Sequence, residues 1–511
     1  AVPLPIPPSN INGLAATPGH VFDSTTPNQT IAGPLPGMQP ELHVYDLAKR
    51  EDKVLGSGFY GWALSADGST ILYNSPDGKL FTLDAKPDAK PAPLDTSHMW
   101  VEINPIAEWN EMYHMAWRLD RDFFVNRKMN GVDWDAVQAK YGKLLPLMGS
   151  REDLNYFIGQ TIGELSNSHT YVGGGDMDYS VHRTPTGLLG VDFSLDENSG
   201  RYYFKTIYPG DNTRENYRSP LTEPGVNVMQ GDFLLAVNGR TLKAPINPYS
   251  LFVDTTGQDV ELTVADNAAG KNARSVLVKT IPNELDIRLK AWIDHNREEV
   301  NQLSDGQIGY IYMSDMEAQG MDQFIRQFYP QLTKQGLIID DRYNGGGFID
   351  QIVLERLRRI LIGMNSNREQ VASPIPQQVS YSYKATLINH YSASDGDIFP
   401  YFFKKYGLGP LIGTRTWGGV RGIRGQWPLL DNGYITIPED TMYGLDSQWV
   451  IENHGVDPDI EVDDLPEDVM RGHDAQLHTA VDYLMEKIKA HPLRLPPPPP
   501  LIPAYPPPGH D

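Results

Sequence analysis

Between residues 41 and 85 apolar and polar positions alternate with a period of two. ELHVYDL, YGWALSADGSTILYNS and GKLFTLD therefore read as short strands, separated by the turns SADGS and SPDGK. Residues 1–40 are rich in Pro, Gly, Asn and Thr, carry no period and are expected to be an irregular lead-in. From residue 99 to 167 the spacing changes to three and four. INPIAEWNEMYHMAWRLDRDFF, VDWDAVQAKYGKLLPLM and SREDLNYFIGQTIGEL predict three helices, followed by the polar loop SNSHTYVGGGD. Residues 187–283 return to β character. Residues 306–470 alternate buried strand and helix: GQIGYIYM, MDQFIRQFYPQLTK, GLIIDDRYNGGG, FIDQIVLERLRRILIG, KATLINHYS, DIFPYFFKKYG and GPLIGTRTW. Such alternation implies parallel pairing, with ligands at the carboxyl ends of the strands, where both NGGG and SASD fall.

This pattern gives a multidomain α/β plus β chain. Residues 1–98 are the lead-in and a β-propeller blade, 99–180 a helical part of the core, 187–283 a β domain, 284–490 an α/β core and 491–511 a Pro-rich tail. The tail, RLPPPPPLIPAYPPPGHD, reads as a polyproline II or disordered tether. One blade cannot bury its own faces, and AVPLPIPPSN does not begin with Met, so the chain is expected to be the C-terminal part of a longer polypeptide. Composition narrows the partners. With 65 acids against 43 bases the net charge is −22, which disfavours nucleic acid and anionic membranes. No apolar run is long enough to span a bilayer. The absence of cysteine excludes disulfides and thiolate metal sites and leans towards an exported bacterial protein, leaving cytoplasmic and exported compartments open.

The chemistry centres on YSASDGDIFP, residues 391–400. A serine at a sharp strand-to-helix turn projects its side chain into the cleft. The amide of the next residue, Asp395, then lies at the positive end of the helix, where it can serve an oxyanion. Gly345, Gly346 and Gly347 at the neighbouring strand end can approach substrate closely and supply a second amide, from Gly346 or Gly347. The competing reading is an ordinary N-cap, with Ser394 capping and Asp395 and Asp397 favouring the helix dipole.

Two resemblances bear on this. GLLG together with GDFLLAVNG resembles a PDZ domain over residues 187–283. GLIIDDRYNGGG followed by LINHYSASDGDIFP resembles the serine peptidases related to carboxyl-terminal processing peptidases and tricorn protease, most closely the tricorn branch. The likeness covers residues 41–490 in the tricorn order of blade, helical segment, PDZ block and crotonase-like α/β peptidase core. It implies a Ser–His pair before the PDZ block, here Ser168–His169, and a Glu after the nucleophile, here Glu452 in VIENHGVDPDI. The strand that carries a lysine base in processing peptidases reads TWGGV here, with Gly419 at that place, so the base is expected to be histidine. His169 is the first choice, with His390 and His454 the alternatives.

The resemblance thus implies Ser394 as nucleophile, His169 as base and Ser168 as a relay to Glu452. It puts Asp395 with Gly346 or Gly347 at the oxyanion, and it implies neither metal nor cofactor. Peptide substrates are expected along Gly345–Gly347 on one side and Gly422, Ile423 and Arg424 on the other. Asn365 stands near the place where tricorn protease carries an acid that favours basic residues. A homo-oligomer, in the family form a hexamer, is also implied. Two other classes remain: a non-catalytic peptide-binding scaffold on the same fold and a hydrolase of non-peptide esters or amides.

Overall fold

The structure is a computed structural model that describes residues 3–30, 33–34, 38–75, 77–177, 183–369 and 371–500. Most of the Pro-rich tail, residues 501–511, lies outside these.

The N-terminal region holds two four-stranded antiparallel sheets rather than a lead-in and one blade. The first runs Asn10–Thr17, His20–Thr26, Glu41–Asp46 and Glu51–Ser57, and the second Gly61–Leu64, Thr70–Asn74, Leu80–Asp84 and Ala92–Pro93. Phe22, Leu42 and Val44 of one share a buried cluster with Ile71 and Leu83 of the other. The first hairpin escapes a hydrophobic-pattern reading because its outer strand, NINGLAAT, is largely exposed.

Three helices follow: α1 (Pro105–Phe123), α2 (Trp134–Gly142) and α3 (Arg151–Gly163). The side chains of Asn104, Asp133 and Ser150 cap them. Their core of Met112, Tyr113, Leu154 and Ile158 also takes in Leu429, Ile435 and Ile437. Strand Val172–Gly174 pairs with Gly433–Thr436. The loop before residue 172 is thereby held against the C-terminal part of the chain. Residues 187–283 form an antiparallel sheet around Val191, Phe204, Leu234 and Val260.

The α/β core is a five-stranded parallel sheet in the order Ile308–Tyr312, Gly336–Asp340, Tyr383–Ile388, Leu411–Gly413 and Ile460–Glu461. Side chains alternate between its faces. Ile311, Leu337, Ile339 and Ile388 face α5 (Ala318–Phe328), α6 (Asp350–Leu357) and α7 (Asp395–Lys405). Tyr310, Ile338, Leu387 and Ile412 face α4 (Leu285–Leu303) and the C-terminal helix Ala475–Ala490. Helix α6 stops at Leu357, short of the predicted element, and a hairpin of Gly363–Ser366 with Ala372–Ile375 follows. Among the described residues no helix is long and apolar enough to cross a membrane.

Candidate active site

Two carboxyl-end loops build the site. After Asp340 the chain turns through Tyr343 at φ 63 and into the glycines. After Ile388 it turns into Ser394, which has φ 56 and ψ −117 and makes no capping hydrogen bond. A non-glycine residue in that region is strained, and the N-cap reading fails because the hydroxyl goes elsewhere. Ser394 Oγ lies 3.0 Å from His169 Nε2. Asn344 joins the loops: its carbonyl accepts from Ala393 N at 2.9 Å, and its Oδ1 accepts from Gly346 N at 2.9 Å. The contact is backbone to backbone, since a Cβ on Gly346 would lie 2.6 Å from Ser394 Cβ.

This geometry corrects the assignment of Gly346 as oxyanion donor, because its N–H is spent on Asn344. Among the described residues the amides of Asp395 and Gly347 have no partner. The glycines are also not a free edge for a peptide. Gly345 N donates to Ser314 O at 3.0 Å, Met316 N donates to Gly346 O at 2.7 Å, and Gly347 bridges Met316. Gly422 is likewise occupied: its N–H donates to Asp440 O at 3.2 Å, and its carbonyl accepts from Glu439 N at 2.8 Å. Arg424 pairs with Glu439 and lies over Phe123 and Trp427, while Ile423 is exposed. Asn365 is exposed in the separate hairpin, opposite Ser373.

His169 has φ 58, and strand Gly433–Thr436 pins it: Thr436 Oγ1 donates to His169 O at 2.6 Å and accepts from Tyr171 N at 2.9 Å. Its Nδ1 meets Tyr171 Oη at 3.2 Å. Burial lowers its pKa, and the Glu452 charge partly opposes this. Glu452 is itself enclosed. Oε1 accepts from Ser168 N at 2.9 Å and Asn167 Nδ2 at 3.0 Å, and Oε2 from Ser168 Oγ at 3.0 Å and Val420 N at 2.9 Å. Burial alone would raise its pKa, but these donors, led by the Ser168 and Val420 amides, hold it below the usual carboxylate range. Ser168 Oγ also accepts from Arg421 N at 3.3 Å. Ser168 and Glu452 are therefore brought together, whereas the expected link from Ser168 to the imidazole is replaced by the Tyr171 hydroxyl.

The alternative bases fall away. His454 pairs with Asp457 at 2.8 Å and is 58% exposed. His390 lies beyond the strand end at Ile388 and is exposed, its ring against Tyr391. A Cβ at Gly419 would come within 2.2 Å of the Trp417 indole, which sits edge-on to His169. A side chain there would have to displace the indole first. Asp397 Oδ1 accepts from Gly418 N at 2.8 Å, tying α7 to the loop after strand Leu411–Gly413, and burial pushes its pKa up to about 6. Tyr171, Asn344 and Asn167 were missed as site residues. None of them carries a sequence signal, since His169 sits in a turn at φ 58 and strand alternation does not reach from it to Tyr171. Among the described residues no His, Cys, Asp or Glu group could hold a metal ion.

The family model for the tricorn protease C1 domain matches residues 105–163, that for the tricorn protease PDZ domain residues 187–283, and that for peptidase family S41 residues 307–462. A tricorn protease homolog of Saccharolobus solfataricus is 35% identical over 494 residues, 95% of this chain and 46% of that protein. The chain belongs to the tricorn protease family. The tricorn protease of Thermoplasma acidophilum is 34% identical, over 87% of this chain and 41% of its own length. The crystal structure of the tricorn protease superposes with a TM-score of 0.86 at 31% identity, covering 96% of this chain and 47% of that one. The chain thus spans about half the length of the tricorn relatives it matches.

Proposed function

We propose that this chain is a serine peptidase that cleaves peptides through an acyl-enzyme at Ser394. The observation that carries the reading is the 3.0 Å contact between Ser394 Oγ and His169 Nε2. These residues are 225 positions apart, and the hydroxyl sits on a strained turn without capping its helix. A serine hydroxyl becomes a useful nucleophile only with a base in reach and donors for the oxyanion, and both lie here.

Ser394 Oγ attacks the scissile carbonyl carbon while His169 Nε2 takes its proton. For that, Nδ1 carries the ring hydrogen and donates to Tyr171 Oη. The amides of Asp395 and Gly347 hold the tetrahedral oxyanion. The intermediate collapses as His169 returns the proton to the leaving amine. Water, deprotonated by the same imidazole, then releases the acyl group and regenerates Ser394. Glu452 acts as a buried negative charge that favours the imidazolium and, through Ser168 and Asn167, as the anchor of the His169 loop. A Ser–His–Ser–Glu set therefore works here by field and anchoring rather than by an unbroken chain of hydrogen bonds.

Peptides are the proposed substrates and a homo-oligomer the proposed working form, by likeness to the tricorn relatives. Exposed Phe348 beside Gly347, and Trp417 against His169, offer apolar side-chain contacts next to the cleft. Peptide-library cleavage by the wild type and Ser394→Ala tests the assignment. Cleavage confined to the wild type is expected; equal cleavage by the alanine variant would remove it.

A further inference from the structure

The loop Gly187-Leu188-Leu189-Gly190 opens the PDZ-like domain. Its backbone amides form the kind of nest that captures a carboxylate in peptide-binding domains. Here the nest is filled. Gly190 N and Val191 N both donate to Glu284 Oε1, at 2.7 and 3.3 Å. Glu284 lies just beyond the domain, immediately before α4 of the peptidase core. It occupies the N-cap position of that helix, yet its side chain makes no capping bond there. The carboxylate is turned instead onto the loop of the other domain.

Its second oxygen is matched as fully. Glu284 Oε2 accepts from Arg288 Nε at 2.8 Å and Nη2 at 2.6 Å. Arg288 Nη1 in turn reaches Asp192 Oδ1 and Tyr208 Oη, both at 2.9 Å, and Nη2 reaches Val191 O at 3.1 Å. The backbone approaches the loop in the same manner. Leu188 N donates to Ile281 O at 2.9 Å, and Ile281 N donates to Leu188 O at 3.0 Å. The segment that delivers the carboxylate is thus paired antiparallel beside the loop before it arrives. Gly190, at φ 75, sits so near α4 that a Cβ would lie 2.8 Å from Ile287 Cδ1.

We infer that Glu284 is the resident ligand of the GLLG loop. The loop is a carboxylate-binding site occupied by the chain's own side chain. The PDZ-like domain therefore holds its own peptidase core and does not capture free peptide C termini. Both features that recognise a carboxylate are used up: two backbone N–H groups converge on Oε1, and a guanidinium gives two N–H groups to Oε2. This fixes the domain, which lies in the sequence between His169 and Ser394, to the start of α4. Removing the Glu284 side chain should leave an empty site for a small carboxylate.

The test uses the full chain in a Ser394→Ala background, so that no peptide is consumed. Glu284→Ala is melted in sodium propionate, in sodium chloride at equal ionic strength, and in propionamide. The variant should melt below its parent and recover with propionate only, while the parent is indifferent to all three. A fluorescent tripeptide Gly-Ala-Val with a free C terminus should bind saturably to Glu284→Ala and not to the parent; its C-terminal amide should bind neither. Glu284→Gln keeps an acceptor for the two amides and fills the site, so propionate should not stabilise it. This variant gives the answer if the alanine protein does not fold. Propionate no better than chloride on Glu284→Ala, propionate rescue of Glu284→Gln, or peptide binding to the parent would each overturn the inference.

Discussion

The Asp395 carboxylate accepts the Asp350 backbone N–H at 3.1 Å, tying the first turn of the nucleophile helix to the first turn of α6. These are the helices whose N-terminal loops carry Ser394 and the glycines. The Asp395 carboxyl is buried and faces that of Asp350. Burial first, and the neighbouring charge second, push its pKa up to about 8. Its neutral form is therefore favoured in the folded protein, beside the Asp350 carboxyl, which burial also raises.

A raised folded-state pKa means that the folded state binds the extra proton. Its stabilising effect is complete below the ordinary aspartate value of 3.8 and is lost as pH rises through about 8. Asp395→Asn removes this titration. Melting curves across pH should show the variant's advantage over the wild type growing from about pH 4 upward and levelling off above about pH 8. A constant difference between the two proteins would contradict the raised Asp395 pKa.

Glu452 opposes the lowering of the His169 pKa. Glu452→Gln should therefore move the acidic limb of the kcat/KM profile to lower pH, because the base holds its proton less tightly. It should also lower kcat, because the developing imidazolium loses its counter-charge. An unshifted limb would show that the carboxylate serves only as an anchor.

Gly346 has φ 86 and touches the nucleophile turn. Gly346→Ala forces a methyl group against Ser394 Cβ and should cut turnover on the order of 100-fold, the scale of a lost oxyanion donor. Steady-state kinetics beside a melting curve separates this from unfolding; a variant with wild-type kcat would refute the close approach.

Lysine cannot stand in for histidine here. With a Cβ at 419 driven into the Trp417 ring, His169→Ala/Gly419→Lys should remain as inactive as His169→Ala. Recovery of peptide cleavage by the double variant would show that the strand can repack to admit a lysine base.

Much of this was legible before the fold was known, and for physical reasons. Period-two alternation marks half-buried strands, so the strands Glu41–Asp46, Gly61–Leu64, Thr70–Asn74 and Leu80–Asp84 were legible, whereas Glu51–Ser57 and the division into two sheets were not. NINGLAAT exposes most of its face and hides its strand among Gly and Asn. Ser394 draws notice from its own strand-to-helix turn, whereas His169 and Glu452 enter only through the tricorn resemblance, because nothing in their own stretches marks them. Asn344 was not legible, since a polar residue before a run of glycines reads as turn chemistry. Only the crossing of two loops turns it into a brace. Ser168 was assigned to a relay that the Tyr171 hydroxyl interrupts, a matter of side-chain direction that spacing does not convey. The Glu284 clamp joins residues 94 positions apart with no pattern between them.

The most direct measurement is the rate at which a fluorophosphonate labels Ser394, followed by mass spectrometry of the modified peptide, in the wild type and in His169→Ala. The probe reports activation of the hydroxyl without requiring turnover. Loss of His169 should slow labelling of Ser394 by about 100- to 10,000-fold, the range of a positioned general base. Ser394 labelled at the wild-type rate in His169→Ala, or labelling at a different serine, would contradict the account.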